Sequence, residues 1–145
     1  MNWDALLQTV TAFFGSLGFG ILFNLRGKKL WFASLGGLLS WSFFLLLGLW
    51  IPSEVLRYFI VSVFVSVYAE IFARLLKSPT TSFSVISLIP LIPGGSLYYT
   101  MAYALDGDGA QFFPKAMYTL ELAAALSAGL LLVAALVRTW KRFRR

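Results

Sequence analysis

Five apolar runs, each close to the length a helix needs to cross a bilayer, decide what this chain can fold into. They cover roughly Leu6–Asn24, Leu30–Trp50, Tyr58–Leu76, Phe83–Leu105 and Met117–Val137. A helix rises about 1.5 Å per residue, so about 20 apolar residues span the roughly 30 Å of hydrocarbon. Of the 145 residues 59% are hydrophobic and 12% charged, too little charge to clothe a soluble domain of this size. The connections are short, so successive runs should stand antiparallel in one bundle, with no linker and no second domain. The expected fold is an all-α integral membrane bundle of about five transmembrane helices, one transmembrane domain over residues 1–145.

Lysine and arginine set the expected orientation. Arg26, Lys28 and Lys29 fall in the first connection, Arg74 and Lys77 around the third, and Arg138, Lys141, Arg142, Arg144 and Arg145 in the tail. With five spans these ten of the twelve basic residues share one side, against Arg57 and Lys115 on the other. The N-terminus is therefore expected outside and the C-terminus in the cytoplasm. The segment MNWDALLQTV has an acid and no base before its apolar stretch, so it reads as a retained first span and not a signal peptide. The net charge of +6 is spread over helix ends that meet anionic headgroups, so membrane lipid and not nucleic acid is the expected partner of these cations.

Composition also narrows the chemistry. The chain has no cysteine and no histidine, which removes thiol nucleophiles, disulfides, imidazole bases and the usual zinc ligands. It has no GxxxxGKS/T phosphate loop. No cofactor or metal is expected, and the enzyme class is disfavoured for want of a nucleophile–base pair. The Asp106-Gly-Asp108-Gly stretch lacks the further ligands of a calcium loop and reads as an outer turn.

Three constellations stand out. In the third run Ser62, Ser66, Glu70 and Arg74 step by four along one helix face. A carboxylate in hydrocarbon costs roughly 2.5–3.5 kcal/mol or more, so Glu70 must find protein, water or a proton. Arg74 is its nearest partner; the pair reads either as a structural ion pair or as part of a polar, proton-carrying path with Ser66. Glu121, near the outer end of the last run, is a weaker candidate for the same path, because an acid in the first turns of a helix is favoured by the dipole. In the first run Gln8, Thr11, Gly15 and Gly18, and in the last Ala124 with Ala128 and Ala125 with Gly129, form small-residue stripes suited to helix packing.

The fourth run carries the sharpest signal, Ser87-Leu-Ile-Pro90-Leu-Ile-Pro93-Gly94-Gly95-Ser96. Two prolines remove two backbone donors and two glycines favour non-helical geometry, so the helix should break at Pro90–Gly95, in the middle of the span. Broken backbone at membrane depth is tolerated only inside protein or against a water-filled cavity. A second half-helix starting at Gly94–Ser96 would aim its free N–H groups at the bilayer centre, as transporters do to hold a carboxylate. Tyr98, Tyr99, Thr100 and Tyr103 add hydroxyls nearby.

Two stretches carry a family resemblance. Gly18-Phe-Gly-Ile-Leu-Phe23-Asn24-Leu-Arg26 resembles the GFA-aliphatic-FN segment of the threonine/serine exporter family, and Phe83 to Gly94, with Tyr98 and Thr100 following, resembles that family's IP-x-x-PG span. The likeness is to the C-terminal half of the fused exporter, which in many bacteria is a separate small membrane subunit paired with a larger one. The resemblance implies a multi-pass subunit of the bacterial cytoplasmic membrane that exports L-threonine and L-serine or, in a split pair, succinate. It implies a larger exporter subunit as partner, with a second copy of this chain as another, and Asn24, Pro90, Pro93, Gly94 and Tyr98 as motif residues. The candidate solute site is thus Asn24, Pro90, Pro93, Gly94, Gly95, Ser96, Tyr98 and Thr100. The competing reading is a membrane scaffold that assembles another protein without transporting anything.

Overall fold

Helix ends are the costly places for a backbone in a bilayer, and this chain closes the C-terminal ends of two spans with its own peptide groups. The computed structural model describes residues 3–143, and every regular element among them is helical. Helix α1 (Trp3–Leu22) stops where Asn24 turns left-handed, at φ 57°. Leu25 N–H then reaches Gly20 O and Asn24 N–H reaches Ile21 O, both at 2.9 Å, so two carbonyls that the helix leaves free are satisfied. Helix α2 (Lys28–Leu47) follows, and α3 (Glu54–Leu75) begins at Ser53, whose Oγ accepts from Leu56 N–H. At the end of α3 the α1 device recurs: Lys77 sits at φ 47°, with Lys77 N–H on Arg74 O and Ser78 N–H on Ala73 O. Then come α4 (Thr80–Leu88), a 3-10 turn (Ile89–Leu91), α5 (Gly94–Leu105) and α6 (Gly109–Phe143).

Four of these helices, α1, α2, α3 and α6, are long and apolar enough to cross a membrane, and the bent pair of α4 with its 3-10 turn and α5 makes a fifth span. Helices α1, α2 and α3 begin two to four residues before their apolar runs and end one to three residues short of them, while α6 extends beyond its run at both ends. The bundle is centred on α3, which packs on α2, α4 and α6; α1 leans on α2 and the break, and α5 leans on α6. One core cluster gathers Phe44, Leu47, Tyr58, Val61, Val65, Leu91 and Leu122; a second gathers Ala33, Ala69, Ala73, Phe83 and Ile86.

Lipid tails are as apolar as leucine, so helices in a bilayer associate through close packing and hydrogen bonds. Here serines face glycines across three seams. A Cβ on Gly37 would strike Ser16, one on Gly36 would strike Ser87, and one on Gly129 would strike Ser62. Where backbones approach so closely, hydroxyls bridge: Ser40 Oγ donates to Ser87 O at 2.8 Å and Tyr68 Oη to Phe32 O at 2.7 Å. The packing stripe of α1 is Ala12, Ser16 and Gly20, all buried, while Gln8, Thr11, Gly15 and Gly18 are exposed. The sequence reading placed the contact face one residue out of phase, because serine and alanine pack as tightly as glycine where the opposing helix supplies the glycine. In α6, Ala125 and Gly129 face α3, and Ala124 and Ala128 do not.

The basic segments gather at one end. Lys141 Nζ lies 3.3 Å from Glu70 Oε1, and Leu25 of the first connection packs on the cluster containing Ala73. At the opposite end the Tyr118 hydroxyl bonds Glu54. Trp3 and Trp50 are exposed at that acidic end, and Trp31 and Trp140 at the basic end, the positions of an interfacial aromatic belt.

These seams predict a contrast between two glycines. Gly129→Ala should destabilise the protein in detergent by about 1–3 kcal/mol, the usual cost of overpacking. Gly95→Ala, where a Cβ meets nothing within 4 Å, should leave the unfolding midpoint unchanged. Equal effects of both substitutions in a denaturant titration would contradict the packing described.

Candidate functional site

Pro90 and Pro93 shape the break. Pro90 sits at the start of the 3-10 turn, and Ile92 then swings to an extended conformation, φ −60° and ψ 123°. Pro93 (ψ 59°) precedes α5, which departs at 62° from the preceding segment. Gly94 N–H folds back on Ile92 O at 2.6 Å, and Leu97 N–H on Pro93 O at 2.9 Å makes the first regular bond of α5. The N–H groups of Gly95 and Ser96 lie in the first turn without an intrahelical acceptor, and no side chain caps them. A Cβ on either Gly94 or Gly95 would meet nothing within 4 Å, so this backbone faces open space. Leu91, fully buried among Tyr58, Val61 and Leu122, fixes the break against the N-terminal half of α3.

The half-helix is held by hydroxyls. Ser96 Oγ lies 2.8 Å and Thr100 Oγ1 3.0 Å from Thr119 Oγ1 on α6, and Thr119 also donates to Lys115 O. Thr119 was not singled out in the sequence; the available signal was that it is one of few hydroxyls in the last apolar run, two residues from the more conspicuous Glu121. Tyr98 and Tyr99 are exposed on α5. Between α5 and α6, toward the acidic end, Tyr99, Tyr103, Gln111, Lys115 and Tyr118 line a cavity of about 430 Å³, with the Lys115 ammonium 5.3 Å from the Tyr118 ring centre. On the other side of the break, Pro90 and Ile89 face Gln8, Thr11, Gly15 and Trp41 across a space of about 250 Å³. The Trp41 Nε1 atom is buried and has no hydrogen-bond partner.

The structure thus brings Pro90, Pro93, Gly94, Gly95, Ser96 and Thr100 together, with Tyr98 on the same half-helix. It does not bring Asn24 there. That residue ends α1 at the basic end, more than two turns beyond the Gly15 that faces Pro90, and its Oδ1 accepts from Arg26 Nε at 3.2 Å. Glu121 is exposed on the side of α6 turned away from α3. Glu70 belongs to a clasp at the basic end: its carboxylate accepts from Arg74 Nη2 at 2.7 Å and Thr80 Oγ1 at 3.0 Å and pairs with Lys141. Ser62 and Ser66 donate to carbonyls of their own helix, Phe59 O and Ser62 O.

At the break the groups on offer are peptide N–H donors, a helix dipole and hydroxyls, with no titratable side chain among Pro90 to Ser96. Such a set is chemically suited to an anionic or polar group. The sequence model described as "Threonine/Serine exporter, ThrE" matches residues 8–136, nearly the whole chain and all five spans. The chain belongs to the threonine/serine exporter family. Its role is that of a multi-pass membrane exporter, which points away from enzyme activity. No curated protein and no solved structure matches it. In this exporter chain the proline–glycine break interrupts the fourth span.

The hydroxyl cluster yields a testable consequence. Thr119→Val removes the α6 partner of Ser96 and Thr100, though Thr100 keeps its bond to Ser96 O, and should cost about 0.5–1.5 kcal/mol. Amide exchange across Gly94–Leu105 should accelerate, while Thr119→Ser retains both protection and stability. Unchanged exchange in Thr119→Val would mean that α5 is held by something else.

Proposed function

We propose that this chain is a subunit of an exporter of small carboxylate metabolites, L-threonine and L-serine or succinate, that binds the solute carboxylate on the N–H groups opening α5. The observation that carries this reading is the uncapped, open backbone at Gly94–Ser96. A bilayer cannot satisfy peptide groups, so broken backbone at this depth must meet protein or water. The helix start favours negative charge, and both solute classes present a carboxylate. Tyr98 and Thr100 stand on the same half-helix to meet the rest of the solute.

The open side of the break also supports a second polypeptide. Helix α5 leans on α6 alone and buries none of its residues. The natural complement is the larger subunit formed by the N-terminal half of the family, completing a solute path that five short helices do not enclose. The protein would sit in the bacterial cytoplasmic membrane with its basic end in the cytoplasm and its N-terminus outside, following the excess of lysine and arginine at one end. Glu70 and Arg74 would serve the exporter by clasping the ends of α3, α4 and α6.

Efflux of labelled threonine, serine and succinate from cells tests the proposal directly. Export is expected when the chain is expressed with the larger subunit, and Gly94→Leu, which has room for its side chain in this subunit, should abolish export while membrane levels and co-purification persist. Loss of export and of co-purification together would favour a scaffold. In the same assay Glu70→Gln should leave the pH dependence of efflux unchanged; a flattened profile would instead make Glu70 a proton carrier.

A further inference from the structure

On the basic half of the molecule, α4 and α6 diverge over α3 and leave a groove of about 560 Å³. Its floor is Ser66 and Glu70 of α3. Its walls are apolar, Val85 and Leu88 on α4 facing Leu130, Val133 and Val137 on α6. Ser66, the polar group deep in this groove, has its hydroxyl donated to Ser62 O. A zwitterionic solute or a file of water would find little to bond to here.

The mouth is different. Thr81 and Ser84 stand on one side and Arg138 and Lys141 on the other. Glu70, the one carboxylate lining the groove, is already met by Arg74 and Lys141, and no acid among the described residues pairs with Arg138. Trp140, exposed on the same turn of α6, marks the level where headgroups begin. Arg74 and Lys77 lie exposed at the same end, so the mouth carries a surplus of positive charge. From Arg138 down to Leu130 the groove runs about 12 Å along the helix axis at 1.5 Å per residue.

The lining chooses the occupant. Apolar walls on α4 and α6 that lead up to Arg138 and Lys141 suit an amphiphile with a hydrocarbon chain and an anionic head. We propose that the groove is a site for an anionic glycerophospholipid. Its phosphate rests on Arg138 and Lys141, with the Thr81 and Ser84 hydroxyls alongside, and one acyl chain lies between Val85, Leu88, Leu130 and Val137. Basic pockets between helices on the cytoplasmic side suit anionic headgroups for the same electrostatic reason. The bound chain would fill the gap between α4 and α6 and brace the segment that leads into the break. This inference does not depend on which solute is exported.

Native mass spectrometry of the detergent-purified protein, titrated with phosphatidylglycerol and phosphatidylcholine of identical chains, tests it. Phosphatidylglycerol should be retained preferentially. Arg138→Ala and Lys141→Ala should each weaken its retention about fivefold, the value of one cation near a headgroup. Lys28→Ala with Lys29→Ala, at the same end but on α2, should change nothing. Ala134→Phe, which crowds the groove, should weaken retention of both lipids while the circular-dichroism melt stays in place. Glycerol phosphate without acyl chains should fail to compete.

Equal retention of the two lipids would overturn the proposal, as would loss through Lys28 and Lys29 alone or indifference to Ala134→Phe. Full competition by glycerol phosphate would reduce the site to a phosphate contact. Crosslinking of Ala134→Cys to the larger subunit, with no lipid retained in the complex, would make the groove a protein interface instead.

Discussion

Hydrocarbon offers a peptide group nothing to bond to, and every N–H or C=O left bare there costs several kcal/mol. The architecture follows from meeting that demand almost everywhere. Long helices satisfy the interior of each span. At the basic end, left-handed Asn24 and Lys77 fold the following residues back onto the last carbonyls of α1 and α3. Side-chain hydroxyls take up carbonyls within spans, as Thr9, Ser34 and Ser42 do with the residue four before them. At the break, by contrast, the N–H groups of Gly95 and Ser96 have no side-chain cap and face outward and not into a packed seam.

The second organising element is the unequal embedding of the helices. Where α2 meets α1 and α4, and where α3 meets α6, the seams are tight enough that serine faces glycine across them, and Phe83, Ile86 and Leu91 are fully enclosed. Helices α1 and α5 lie at the edge, each supported on one side. The Glu70 clasp ties α3, the start of α4 and the tail of α6 at the basic end, and the Glu54–Tyr118 contact ties α3 to α6 at the other. With α3 and α6 pinned at both ends and α4 enclosed against α2 and α3, α5 is the least embedded segment. The prolines give it a hinge whose position is set by buried Leu91.

Much of this was legible in the sequence, for physical reasons. Apolar runs of membrane length predict helices regardless of tertiary detail, and Pro90 with Pro93 forbids a continuous fourth helix whatever surrounds it. The pairing of Glu70 with Arg74 follows from helical spacing alone. Other features depend on partners that no local pattern names. The phase of the α1 stripe was misread because Ser16 packs against Gly37, a residue of another helix. Asn24 lies in a stretch that resembles the family's, yet in this chain its visible work is to end α1. Thr119 became part of the site only through the direction in which α5 leaves the break. The lipid-sized groove arises from the divergence of α4 and α6, which are distant in sequence and whose own hydrophobic patterns say nothing of each other.

The central claim is that the N-terminus of α5 meets water and solute within the membrane. The chain contains no cysteine, so a single Gly95→Cys substitution gives a unique thiol at that point without removing any other. Its rate of modification by a membrane-impermeant thiol reagent, in membranes containing the larger subunit, is the most direct measurement. The account predicts that the thiol reacts and that threonine, serine or succinate protects it, while a neutral amide of the same solute does not. A thiol that never reacts, or reacts at the same rate whatever carboxylate is present, would contradict it.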